Sequence, residues 1–252
     1  MADSAPALIA HLRGIAAGQG NAPPAAATAW IADGLARAQV HELFAADSDD
    51  AASVAGFATA LTLAAKAMPL LWIRTEEAQR RGGRLHATGL RELGLEPDML
   101  VQVLAPDEGA LLRAAADAAR CGGLGAVMVE SWGRAPGLDL TATRRLQLAA
   151  EASGVTVLLL RVNGQPAPSA AATRWGVAGH PSTALAADAP GRPAFLIELQ
   201  RRRGGPSGQR WRVEWDRDTL SFDAEALSGT GLSVAADRAP ARDAPAPLRA
   251  WG

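Results

Sequence analysis

Residues 39–67 read QVHELFAADSDDAASVAGFATALTLAAKA, and three textures follow one another there. Gln39–Phe44 is a short β-rich run, residues 45–50 are Ala, Ser and Asp, and the Ala-, Leu- and Thr-rich remainder predicts a helix over about 51–67. A strand, a polar turn and a helix in this order open an α/β sheet, and the turn is where a nucleotide-binding α/β protein cradles phosphate. That cradle needs glycines so that backbone N–H groups approach the phosphates, a Lys for the β and γ groups, and a Ser or Thr for Mg²⁺. Ala45–Ser53 contains no Gly and no Lys, and it carries the carboxylates Asp47, Asp49 and Asp50. Negative groups at a helix N-terminus satisfy its positive end themselves and repel a triphosphate. Of the 25 basic residues only Lys66 is a lysine. It lies some four turns along the helix, at ~1.5 Å per residue, too far to serve the turn, and reads as a snorkelling surface residue.

Downstream, Pro69–Arg74, Met99–Leu104, Leu124–Val129 and Val155–Leu160 are short apolar strands, the third ending in Glu130. Between them come a polar loop after Arg74, a short helix near 88–94, a helix opened by Asp107 and Glu108 and stopped by Gly122-Gly123, and a helix from Asp139 to Ser153 ended by Gly154. Uninterrupted apolar strands alternating with helices mean a mostly parallel sheet flanked by helices on both faces. Further on, Phe195, Ile197 and Leu199 alternate with polar neighbours, as do Trp211, Val213 and Trp215, around the turn Arg201–Gly208. This predicts a C-terminal antiparallel hairpin with one buried face. The organisation expected is an N-terminal helix over 1–18 with Leu8, Ile9, Leu12 and Ile15 on one stripe, a Gly/Pro/Ala linker over 19–29, an α/β core over 30–223, and an Ala/Pro-rich tail over 224–252. The tail has too few large apolar groups to offset its ordering entropy and is expected to be disordered, with Leu248 and Trp251 as a short docking motif.

Composition excludes several function classes. A single Cys rules out a disulfide framework and a multi-Cys zinc site and fits a reducing cytoplasm. A net charge of −1 argues against broad phosphate neutralisation along a nucleic acid. Charges interrupt every apolar run well before the ~18 residues of a membrane span, and the N-terminus lacks the pattern of a signal peptide. His11, His41, His86 and His180 show no ligand spacing, so no metal is assigned. Cys121 is expected to be a small buried apolar residue, and no Ser/His/Asp arrangement is legible.

Several stretches carry a family likeness. Gly34-Leu-Ala-Arg-Ala-Gln-Val-His-Glu-Leu-Phe44 resembles a G-L-P-x-G-x-x-H-E-L/I-F strand, and Gly56-Phe-Ala-Thr-Ala-Leu61 the helix that follows. Leu71–Glu77, Leu85–Leu100, Asp139–Glu151, Thr173-Arg-Trp175, Glu198–Gly205 and Trp211–Asp216 continue the likeness over about residues 33–217. In combination they resemble the RecA core, and more closely the ImuA family, RecA-like accessory proteins of damage-induced translesion synthesis. The resemblance implies a RecA-like α/β core and a partner-binding protein that works with ImuB and an error-prone polymerase, with RecA as a further partner.

Where the chain departs from RecA decides the expected mechanism. Glu130 and Glu76 stand where RecA proteins carry the Mg²⁺-linked and water-activating carboxylates, and without a phosphate cradle they read as vestigial. The loops that would grip DNA are short and poor in charge, so direct DNA contact is expected to be weak. The binding candidates are the stripe Leu8, Ile9, Leu12 and Ile15, the basic turn Arg201, Arg202 and Arg203, and Leu248 with Trp251. The expectation is a cytoplasmic adaptor with no catalysis, no cofactor and no membrane contact. The rivals are a RecA-like ATPase with an unusual nucleotide site and a cell-division inhibitor of the SulA type.

Overall fold

The chain is described from a computed structural model over residues 35–45 and 48–227. The elements in order are β1 (Val40–Ala45), α1 (Ala51–Ala64), β2 (Leu70–Thr75), α2 (Glu76–Gly82), α3 (Ala87–Glu92), β3 (Leu100–Ala105), α4 (Glu108–Ala118), β4 (Ala126–Trp132), α5 (Leu140–Ser153), β5 (Thr156–Val162), β6 (Thr173–His180), β7 (Ala194–Arg202), β8 (Arg210–Asp216) and β9 (Ser221–Leu227). They build one nine-stranded sheet in the order β3-β2-β4-β5-β1-β6-β7-β8-β9. Strands β3 to β6 in that order are parallel, and β7, β8 and β9 close the sheet antiparallel.

Side-chain alternation along each strand divides the core in two. Leu43, Trp72, Met128, Leu158, Trp175, Ile197 and Trp215 face α1, whereas Val40, Ile73, Val127, Val157 and Leu159 face α4 and α5 through Leu111, Ala115 and Leu146. Such period-two alternation, with both faces buried, is why the central strands read as continuous apolar runs. Helix α1 is buried over most of its circumference because the antiparallel strands curl round it. Phe57 packs at 5.6 Å ring to ring from Phe195 on β7 and 5.4 Å from Phe222 on β9.

Helix ends obey local chemistry. Asp139 Oδ1 accepts from the Ala142 N–H at 2.7 Å and starts α5, and Gly154, at φ 83°, supplies the left-handed residue that ends it. Thr75 accepts from the Ala78 N–H, with Glu76 and Glu77 in the first turn and Arg80 and Arg81 in the last. Those charges complement the helix dipole, so the stretch expected as a polar loop after β2 is helix α2.

Four other expectations are corrected. The antiparallel part is more than a hairpin, because β6 pairs antiparallel with β7 and β9 adds a third strand beyond β8. The core therefore reaches Leu227, not 223, and residues 224–227 are strand rather than tail. Glu130 lies inside β4, which runs on to Trp132. Cys121 is exposed in the turn after α4. The expected N-terminal helix and linker and the rest of the tail lie outside the described residues.

At the start of β1, His41 is buried and held on both sides. Trp175 Nε1–H donates to Thr173 Oγ1 at 2.8 Å, and because the Ala36 carbonyl requires the proton of the neutral ring on Nε2, the Thr173 hydroxyl donates to His41 Nδ1, also at 2.8 Å. His41 Nε2–H then donates to the Ala36 carbonyl at 2.9 Å. Burial pushes the imidazole down to about 4, against which the Ala36 bond acts weakly. The unfolded chain protonates near 6.5, so it binds more protons than the folded chain between the two values. Stability is therefore full above pH ~6.5 and falls by an amount of order 3 kcal/mol as pH drops towards 4. Urea denaturation at pH 7 and pH 4.5 should show this loss in the wild type, and His41→Gln should flatten the pH slope across that window.

Candidate functional site

The parallel strands end together along one edge of the sheet, where α/β proteins place their ligands. The first group there is the β1–α1 turn. Asp47 lies outside the described residues. Asp49 is exposed, and Asp50 stands at the cap position of α1. Asp50 makes no capping hydrogen bond to its own helix; its Oδ1 accepts from the Gly179 N–H of β6 at 2.9 Å. A Cβ on Gly179 would fall 2.8 Å from Ser53 Oγ, so only glycine lets the tip of β6 come this close to α1. A carboxylate of the chain itself thus occupies the helix start, the position that favours a bound anion.

The second group is Glu130. It is 4% exposed and beside Arg74, which is 2% exposed. Arg74 donates through one guanidinium nitrogen to Glu130 Oε1 at 2.8 Å. Trp132 Nε1–H donates to the same oxygen at 2.7 Å and Trp72 Nε1–H to Oε2 at 3.0 Å. Arg74 also donates to the carbonyls of Gly83 at 2.9 Å and Ala78 at 3.1 Å, which ties α2 to the pair. Among the described residues its Nε–H has no acceptor. Both carboxylate oxygens are therefore spent on an internal cation and two indoles. Glu76 is exposed in the first turn of α2, and among the described residues no hydrogen bond or ion pair joins it to Glu130.

Between these groups a cavity of about 240 Å³ opens. Ala55 and Gly56 of α1 and Gly89 of α3 form its walls, and Trp72, Arg74, Glu130 and Trp132 its floor. Arg84 and His86, both exposed, stand at its rim.

On the other face of the sheet, Glu42 is buried and takes Arg174 Nε–H at 2.9 Å and the Ser169 hydroxyl at 2.8 Å. Arg174 also donates to the Ala167 carbonyl. Arg201, read in the sequence as part of a basic turn, is half-buried on β7 and donates to the carbonyls of Ser169 at 3.2 Å and Ala171 at 2.7 Å. Burial lowers its guanidinium, with Arg174 adding repulsion. Arg201 thus fastens the β5–β6 connection to the sheet, while Arg202 and Arg203 are exposed. Arg161 stacks on Phe44 at 5.5 Å and is lowered by burial. The candidates Leu8, Ile9, Leu12, Ile15, Leu248 and Trp251 lie outside the described residues. Among the described residues no group of three or more His, Cys, Asp or Glu could hold a metal ion, and no helix is long and apolar enough to cross a membrane. The Arg74–Glu130 pair and the Asp50–Gly179 bond escaped the sequence reading, because 56 and 129 residues separate their partners.

No family model matches the chain. Two curated proteins do, each the Protein ImuA of Caulobacter vibrioides, from strains NA1000 / CB15N and ATCC 19089 / CIP 103742 / CB 15. Each is 39% identical over 139 residues, which cover 51% of this chain and 55% of the relative. The match thus spans about half the length of these relatives, and the expected resemblance to the ImuA family is found over that stretch. Among solved structures the RadB recombinase superposes with a TM-score of 0.52 at 12% identity, covering 74% of this chain and 90% of that one. The fold is a RecA-like mixed sheet, mostly parallel, with C-terminal antiparallel strands.

Removing one partner of a buried ion pair leaves an uncompensated charge, at a cost of about 3–5 kcal/mol. Arg74→Met should destabilise the chain by that order in chemical denaturation. The double variant Arg74→Met/Glu130→Gln should recover part of the loss, because the amide oxygen still accepts from an indole and carries no charge.

Proposed function

We propose that this chain is a RecA-fold adaptor without catalysis, working in a damage-induced mutagenic translesion synthesis assembly in the cytoplasm. Its partners are ImuB and RecA, in company with an error-prone polymerase. The similarity to Protein ImuA supports the setting, and the RecA-like sheet supports the scaffold.

The observation that carries the absence of catalysis is the state of the two carboxylates at the sheet edge. A phosphate-transferring site needs an open helix N-terminus and a carboxylate free to hold a metal ion. Asp50 sets a negative charge beside the first, its carboxylate bonded to Gly179 rather than to the N–H groups of the helix. Arg74 and two indoles consume the second at Glu130. Lys66 follows the end of α1 at φ 52°, away from the turn. These arrangements speak against the ATPase reading. The role left for such a chain is to present surfaces, and direct contact with DNA plays little part in it.

Purified protein should show no ATP hydrolysis above a blank and no rise in melting temperature with Mg²⁺–ATP. A saturable stabilisation by Mg²⁺–ATP would overturn the non-catalytic reading. Co-purification should recover ImuB and RecA with the full chain. Deleting residues 1–18 or 228–252 should weaken one of these complexes while the core keeps its denaturation midpoint.

A further inference from the structure

Resting on the adaptor reading, we propose that the cavity between α1, α3 and the Trp72–Trp132 floor is the docking point for an acidic segment of a partner protein. That segment inserts one aromatic or leucine-sized side chain. The size of the cavity selects this class of occupant. Sites for whole cofactors and drug-sized ligands run to about 300–1,000 Å³, and at about 240 Å³ this one suits a single large side chain. Aromatic anchors seated in small desolvated pockets carry much of the energy of protein interfaces.

The walls are built to stay open. Gly89 lies inside α3, outside the positive-φ region, and a Cβ there would meet nothing within 4 Å. Glycine within a helix costs stability relative to alanine, and here neither backbone geometry nor packing requires it. What it leaves is space beside Ala55 and Gly56 of α1. The floor is apolar in effect because Arg74 cancels the charge of Glu130, and both indole N–H groups are already spent on that carboxylate. Trp132 keeps part of its surface exposed.

The rim sets the charge of the partner. Arg84 lines the cavity, is exposed, and has no hydrogen bond or ion pair among the described residues. His86 lines it beside Arg84. The one carboxylate in the lining is Glu130, already paired. An anchor flanked by Asp or Glu is therefore favoured over one flanked by Lys or Arg.

The test uses the full chain with ¹⁹F NMR of 4-fluorophenylacetate, an aromatic ring with a carboxylate, against neutral 4-fluorobenzyl alcohol. The acetate should bind the wild type more tightly than the alcohol. Gly89→Leu, which fills the cavity and removes a helix glycine, should abolish binding of both with an unchanged or higher denaturation midpoint. Arg84→Glu, at an exposed position, should weaken the acetate by roughly fivefold and leave the alcohol unaffected. Absence of binding to the wild type, binding that survives Gly89→Leu in a folded variant, or equal affinity for both probes would each overturn the proposal. Co-purification with ImuB separates this from the adaptor reading. Wild-type capture that is lost in both variants supports the docking point, and capture that persists in both overturns it while the adaptor reading stands. Failure of the wild type to capture ImuB sinks the adaptor reading, and the two NMR probes then decide the cavity alone.

Discussion

The buried pair of Arg74 and Glu130 holds together the edge of the sheet that carries the candidate site. A carboxylate 4% exposed is costly unless its charge is met and its lone pairs are used. Here one guanidinium and two indoles meet it, from the neighbouring strands β2 and β4. The same guanidinium reaches the Ala78 and Gly83 carbonyls and so sets where α2 lies. The pair therefore acts as cross-strand tie, helix anchor and floor of the cavity. A carboxylate used in this way is neutralised by the guanidinium and takes three donors on its two oxygens, so the charge that would attract a cation is already met from inside the sheet.

A similar internal closure recurs around the sheet. Asp50 spends itself on the backbone of β6. Glu42 is met by Arg174 and Ser169, and Arg201 binds the carbonyls of the connection between β5 and β6. That connection carries residues 163–172 across the face of the sheet, and arginines from β6 and β7 hold it down by its own carbonyl groups. Planar guanidinium groups suit this task because they offer several donors in a fixed fork. The Arg-for-Lys bias of the chain thus has a structural use, whatever its origin.

The sequence made the fold legible wherever a strand was buried on both faces or a helix carried its own stop signals. β5, β4 and the Asp139–Gly154 limits of α5 are of this kind. β6 is hard to read because Arg174, Gly176 and Gly179 interrupt its apolar pattern, yet Gly176 leaves room for Gln200 and Gly179 for Ser53. β9 was missed because Phe222 and Leu227 are its only large apolar residues and stand on opposite faces, with Asp223 and Glu225 alternating between them. α2 was hidden by its polar surface, although Thr75 and the charge order of its two ends were a readable signal. At the candidate site the residue types were legible and their partners were not. The acidic turn and Glu130 could be named from the chain, but what satisfies each comes from a strand or turn distant in sequence.

Arg201, Arg202 and Arg203 show why a charge run cannot be read as one surface. The bulge between Arg174 and Trp175 shifts the register of β6 against β7 as β7 approaches its end. Arg201 is turned onto the Ser169 and Ala171 carbonyls, while Arg202 and Arg203 lie exposed at the end of β7 and in the turn beyond it. One of three adjacent cations is thus committed to the interior. The charge offered outward is smaller than the sequence suggests, whereas at the cavity rim Arg84 has no such commitment among the described residues. An acidic partner seated there meets a cation beside the Trp132 floor, where charge and apolar surface favour the same occupant.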